Sequence, residues 1–177
     1  LIVGDMVIVS TSNGVDFYHT DILEPKSSSW IALNKNTGEL IAEDGSEASQ
    51  SIFHGSWSSL TYAKIDDNKK YLIFGGPDGF CYGYDMKISK DSDDNNVFKP
   101  IWKIDCNEPE YRNDENGYKI PYPAKEGPSE IIATPVFYDG CVYVAIGQEP
   151  EHGDGVGRLS CIDVVTGTLV WKYTDID

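Results

Sequence analysis

One turn occurs twice in this sequence. Asn34-Lys35-Asn36-Thr37-Gly38 and Asp163-Val164-Val165-Thr166-Gly167 each follow a short apolar run, Trp30 to Leu33 and Leu159 to Ile162, and lead into another, Leu40-Ile41 and Leu169 to Trp171. In both, an Asx side chain is placed to cap the turn, and the glycine supplies a position that tolerates positive φ. Two copies of one hairpin within 177 residues mark a repeat architecture, in which function is carried by loops.

The rest of the chain reads as strands and turns. Asp5-Met6-Val7-Ile8-Val9-Ser10-Thr11, Tyr71-Leu72-Ile73-Phe74-Gly75-Gly76 and Cys141-Val142-Tyr143-Val144-Ala145-Ile146 are β-rich runs. Each leads through a loop to a further strand, Ile31 to Leu33, Phe80 to Tyr84 and Leu159 to Ile162. Strands over Ser56 to Ile65 and Ile131 to Tyr138 precede the later hairpins, and no run of ten or more residues keeps a helical period. The chain is therefore expected to be all-β, with strands in groups of four: an incomplete group over 1–44, a full one over about 54–107 and another over about 131–176. Antiparallel groups of four with Trp and Gly at matching places predict β-propeller blades, and the recurrence of matching turns favours this over a β-sandwich. About three blades do not close a ring that needs roughly 4 to 8, so a single partial propeller is expected, a fragment of a larger one.

Acidic residues outnumber basic ones by 29 to 14, a formal charge of -15, which repels nucleic-acid phosphates and anionic membranes. No stretch reaches the roughly 18 apolar residues of a membrane span. Leu1-Ile2-Val3 lacks the basic flank of a signal peptide, and the missing initiator Met again predicts a piece of a longer chain. Cys81, Cys106, Cys141 and Cys161 form no CxxC pair, so common zinc and redox spacings are absent. They read as small buried thiols, with a Cys81–Cys106 disulfide as the alternative because their strands are hairpin partners.

Cys161-Ile162-Asp163-Val164-Val165-Thr166-Gly167-Thr168-Leu169-Val170-Trp171 resembles the repeat of pyrroloquinoline quinone (PQQ) propellers, Ala-x-Asp-x-x-Thr-Gly-x-x-x-Trp. In that family the Trp docks between neighbouring blades. The copy over Ala32 to Ala42 has Ala42 at the Trp position, so one docking contact is expected to be missing. The middle blade keeps Gly83-Tyr84-Asp85 and Trp102 but replaces the turn by a polar insertion. The resemblance to the quinoprotein alcohol dehydrogenase-like superfamily covers nearly the whole chain and implies an extracytoplasmic protein, periplasmic or secreted.

The resemblance also locates candidate sites. Ser10-Thr11-Ser12-Asn13-Gly14 is similar to the segment whose Asn ligates calcium in the quinoprotein dehydrogenases, which makes Asn13 a candidate for metal and cofactor binding. His54-Gly55-Ser56-Trp57-Ser58 stands where those enzymes carry His-Asp-x-Trp-Asp, so Ser58 replaces the proposed catalytic base. A hydroxyl neither accepts a substrate proton unaided nor gives calcium negative charge. No Cys-Cys pair is present to stack on a quinone.

Other residues are candidates on their own chemistry. His54 and Trp57, placed at the start of an inner strand, are suited to stack on and hydrogen-bond a planar ligand, or else to pack between blades. Glu151, His152 and Asp154, between glycines, offer carboxylate and imidazole donors for a metal, although a polar hairpin loop is the plainer reading. The long loop from Asn13 to Ser29 carries Asp16, His19, Asp21 and Glu24, and would form an acidic lip with Gly147 to Gly157 if both lie on one rim. Asp91 to Asn96 lacks the Gly and Glu of a calcium loop and reads as a solvated hairpin insertion, and Asn107 to Ser129 reads as a long connection of the kind that often binds ligands. No GxSxG elbow or phosphate loop is present. The combined expectation is a non-catalytic binding or scaffolding module that takes a protein partner or small ligand at the loop rim. The alternative is a PQQ- and calcium-dependent alcohol dehydrogenase with its remaining ligands outside these residues.

Overall fold

The computed structural model describes residues 1–122, 127–148 and 155–176. Its described strands form three antiparallel meanders. The first is β1 (Ile2–Val3), β2 (Met6–Ser10), β3 (Trp30–Asn34) and β4 (Leu40–Asp44), and the second is β5 (Thr61–Lys64), β6 (Lys70–Gly75), β7 (Phe80–Lys90) and β8 (Asn96–Asp105). The third is β9 (Val136–Tyr138), β10 (Cys141–Ile146), β11 (Gly157–Asp163) and β12 (Leu169–Ile176). The first group, expected to be incomplete, is thus a full meander whose first strand is only two residues long.

The recurrent turns are built as their residues dictate. Asn34 Oδ1 accepts from the backbone N–H of Asn36 at 2.9 Å and of Thr37 at 3.2 Å, and Asp163 Oδ1 accepts from Val165 at 3.0 Å and Thr166 at 2.8 Å. Gly38 and Gly167 close them at φ +75° and +69°. Two inner strands are shorter than their apolar runs. β5 begins only at Thr61 and β9 only at Val136, because Pro135 cannot donate to a ladder and the 54–60 stretch curls into a loop. His54 and Trp57 therefore lie in a loop and not on an inner strand.

Blade contacts are mostly aromatic. Trp102 of the second blade donates its indole N–H to Val164 O of the third at 3.0 Å and lies over Gly83 and Gly167, where an added Cβ would come within 2.0 and 2.5 Å of the ring. At the other junction Ala42 is fully buried, and Trp30, Tyr84 and Phe98 occupy the space beside it. Trp30 meets Tyr84 edge-on at 5.1 Å and Phe98 at 5.6 Å.

Asp91 to Asn96 form the solvated hairpin turn that the sequence predicts, and Phe98 lies just beyond it on β8. The turn is held by Asp91 Oδ1 accepting from Asp93 and Asn95 N–H. The stem pairs with β4 in parallel, Glu43 against Val97 and Asp44 against Phe98, so the first two blades share one eight-stranded sheet. All four cysteines are free thiols. The register puts Ile104 opposite Cys81, which leaves Cys106 beyond the end of the strand as a diagonal neighbour and not a facing partner. Burial pushes the Cys106 thiol up to about 12 and that of Cys81 well above its usual range. No described helix is long and apolar enough to cross a membrane.

The alternation of strands fixes where the loops emerge. The connectors from second to third strand, 11–29 and 76–79, open at one end of the sheets. One further reversal brings the fourth strand back to that end, so the blade-to-blade connectors 45–60 and 106–135 emerge there as well. The Asx-x-x-Thr-Gly turns lie at the opposite end.

Candidate functional site at the loop rim

Asn13 organises the first part of the rim. Its side-chain Nδ2 donates to Ser49 O and Ile52 O, both at 2.7 Å, and its Oδ1 accepts from Val15 N–H at 3.3 Å. These bonds pin the short 3-10 turn Ala48–Ser51 against the 13–29 loop and fix the direction in which Phe53 and His54 leave it. Asn13 is buried, with both amide hydrogens committed to backbone.

His54, Trp57, Tyr122, Glu130 and His19 converge beyond that turn. Trp57 Nε1 donates to His54 Nδ1 at 2.8 Å, so Nδ1 is an acceptor and the neutral imidazole carries its proton on Nε2. The 3.9 Å separation of that same Nδ1 from Glu130 Oε2 is then a close approach between two acceptors and not a hydrogen bond. Tyr122 OH donates to Glu130 Oε1, and Glu130 is buried with its backbone paired to Gly147. The His19 ring meets His54 edge-on at 4.5 Å, and Phe53 stacks on Tyr122 at 5.9 Å. Trp57 is 61% exposed, so its indole offers an open face beside the group. Ser58 is turned away: it is buried, and its hydroxyl donates to Ser59 O at 3.1 Å.

Next to this group the four connectors enclose a cavity of about 650 Å³. His19 comes from the first connector, Phe53 from the second, Pro77 and Asp78 from the third, and Arg112, Lys119 and Tyr122 from the fourth. Arg112 closes the single helical turn α1 (Pro109–Arg112). Its Nε and Nη2 make two bonds to the Asp105 carboxylate at 2.8 and 2.7 Å, Nη2 also reaches Asp78 O at 2.8 Å, and the guanidinium lies 4.6 Å from the Phe80 centroid. Lys103 Nζ lies 3.9 Å from the same centroid. The approach depends on Gly79, at φ +78°, where an added Cβ would sit 2.3 Å from Asn107 Nδ2 and 2.5 Å from Ser129 O. Asp78 accepts from Tyr82 OH at 2.5 Å and from Phe80 N–H at 3.2 Å. Burial outweighs these bonds and the charges of Lys103 and Arg112, and raises its carboxyl to about 6.

No family model matches the sequence, and no curated protein does either. Solved structures do. Over 99% of this chain, quinohemoprotein alcohol dehydrogenase from Comamonas testosteroni superposes with a TM-score of 0.55 at 16% identity. The fold is that of a β-propeller. A europium-containing methanol dehydrogenase superposes over 98% of the chain with a TM-score of 0.51 at 17% identity. BamB from Moraxella catarrhalis superposes over 99%, with a TM-score of 0.47 at 16% identity, and 51% of its own chain is covered. The present chain spans only 20% and 23% of the two dehydrogenase chains.

The described residues do not fit a calcium–quinone centre. Asn13 is buried with its Oδ1, the atom that would ligate calcium, accepting from Val15 N–H, Ser58 supplies no charge, and no three described His, Cys, Asp or Glu residues converge to hold a metal. Glu151, His152 and Asp154 lie outside the described residues. His54 and Trp57 are brought together at the rim, and His19 joins them from the Asn13 to Ser29 loop. Sequence reasoning missed Arg112, Tyr122, Asp78 and Glu130 as individuals. The available signal was the length of the 107–129 connector and the Gly76-Pro77-Asp78-Gly79 turn.

Proposed function

We propose that this chain is a non-catalytic part of a quinoprotein-like propeller, whose loop rim binds a small ligand or a protein partner. The observation that carries this reading is Ser58, a buried hydroxyl bonded to a backbone carbonyl at the position where the resemblance calls for a carboxylate base. Without that base, proton abstraction from an alcohol has no acceptor there. The cavity supplies what binding needs: apolar and aromatic walls with a few fixed polar groups, in a volume typical of small-molecule sites. The dehydrogenase reading places its remaining calcium donors outside these residues. An extracytoplasmic location, periplasmic or secreted, is part of the proposal and rests on the family resemblance. The charge of -15 argues against nucleic-acid partners.

The test is a titration of the purified protein with PQQ and calcium, followed by chromophore absorbance and by dye-linked oxidation of alcohols. No oxidation of alcohols is expected. A stable bound quinone with alcohol turnover would sink the proposal.

A further inference from the structure

We propose that the rim cavity takes a small aromatic carboxylate, with its ring against Phe53 and Tyr122 and its carboxylate on Lys119 and the open edge of Arg112. This deepens the binding reading above and rests on it.

The anion end is built before any ligand arrives. Arg112 is held by three hydrogen bonds through Nε and Nη2 and by the Phe80 face, which leaves Nη1 without a partner among the described residues. A guanidinium fixed on one edge and open on the other loses little freedom when it binds an anion. Lys119 is brought to the same wall by a small hairpin. Asn113 pairs with Lys119, Ile120 N–H reaches Arg112 O at 3.0 Å, and Asp114 Oδ1 caps the turn by accepting from Asn116 and Tyr118 N–H. Lys119 is exposed and forms no ion pair among the described residues.

The neighbouring carboxylates are already engaged. Asp105 is taken up by Arg112, and Asp78 by Tyr82 and the Phe80 N–H. Lys119 and the Arg112 edge are thus cationic groups in the lining that are still able to receive a ligand. The lining sets two cations, Arg112 and Lys119, against two acids, Asp78 and Asp105, whose oxygens are already bonded, so an anion meets the free N–H groups of the cations. The other wall is apolar and aromatic: Phe53, stacked on Tyr122, with Pro121 and Pro128 beside them, offers a surface suited to an aromatic ring.

The test uses the whole chain in a two-dimensional amide NMR titration with three probes: benzoate, benzamide and cyclohexanecarboxylate. Benzoate is expected to shift the Phe53, Lys119 and Tyr122 amides saturably, and to bind at least severalfold more tightly than the other two. Lys119→Gln, at an exposed site that leaves the fold intact, should weaken benzoate about tenfold and leave benzamide unchanged. Phe53→Leu should erase the preference for benzoate over cyclohexanecarboxylate. Benzamide binding as tightly as benzoate, shifts confined to residues away from the cavity, or an indifferent Lys119→Gln would each overturn the proposal. Failure of all three probes removes the ligand class but leaves the non-catalytic reading to stand on the quinone titration. Quinone loading with alcohol turnover removes the reading itself, whatever benzoate does.

Discussion

Asp78 is a carboxylate whose surroundings favour its neutral form. Burial raises it from 3.8 to about 6, so between those values the folded chain holds a proton that the unfolded chain has lost. The associated stability is full below about pH 4 and is lost as pH rises through about 6, roughly 3 kcal/mol in all at 1.36 kcal/mol per unit. Asp44, also raised by burial, adds a slope of the same sign. Urea unfolding from pH 4 to 7 should therefore show the wild type losing stability as pH rises, with Asp78→Asn flattening part of that loss. An unchanged slope in the variant would assign the titration elsewhere. In the sequence, Asp78 is only the third residue of a Gly-Pro-Asp-Gly turn. Its character comes from burial among residues up to 34 positions away, which Tyr82, Lys103 and Arg112 only partly offset. Asn13 shows the converse: the sequence marks the position, but Ser49 and Ile52 determine what its amide does.

At the scale of elements, the fold was legible where its determinants are local. The Asx-x-x-Thr-Gly turns read directly because the cap, the positive φ and the flanking strands lie within a few residues. The pairing of the 96–98 segment with β4 was not legible, since parallel edge pairing leaves no mark in either strand alone. This is why Ala42 suggested a missing contact when Phe98 and Trp30 already occupy that space. At the junction that keeps its Trp, the indole and two glycines act as one unit. Trp102→Ala should cost about 3 to 5 kcal/mol, as loss of a large packed aromatic does. Gly83→Ala should cost about 1 to 3 kcal/mol, because its Cβ would lie 2.0 Å from the indole. The double variant should be clearly less unstable than the sum, since removing the ring removes the clash. Denaturant midpoints of the four proteins measure this, and strict additivity would show that the contact is not what sets either cost.

At the scale of the whole molecule, the rim was foreseen as long loops, but the meeting of four connectors around one cavity was not, because it depends on how blades stack. The same stacking leaves two sheet faces uncovered. On the third blade Val136, Tyr138, Trp171 and Tyr173 are exposed around Tyr143, joined in register through Val136–Tyr143–Cys161–Trp171. On the first blade Ile2, Val9 and Leu40 are exposed on the face away from Ile8 and Trp30. The two faces match in kind the surfaces that meet inside the structure. Gly167 is filled by Trp102, whereas Gly38, its counterpart, has open space around it, and Trp171, the counterpart of Trp102, is 44% exposed. Uncovered apolar faces of this extent drive association in water. The 177-residue chain alone should therefore self-associate with concentration in sedimentation velocity, despite a charge of -15, and more strongly as salt screens that repulsion. Trp171→Lys, which places a charge at the centre of the aromatic face and removes the exposed ring, should shift the weight-average mass toward monomer without changing the melting of the three blades. A monomer at all concentrations would mean that the two faces are not complementary enough to meet.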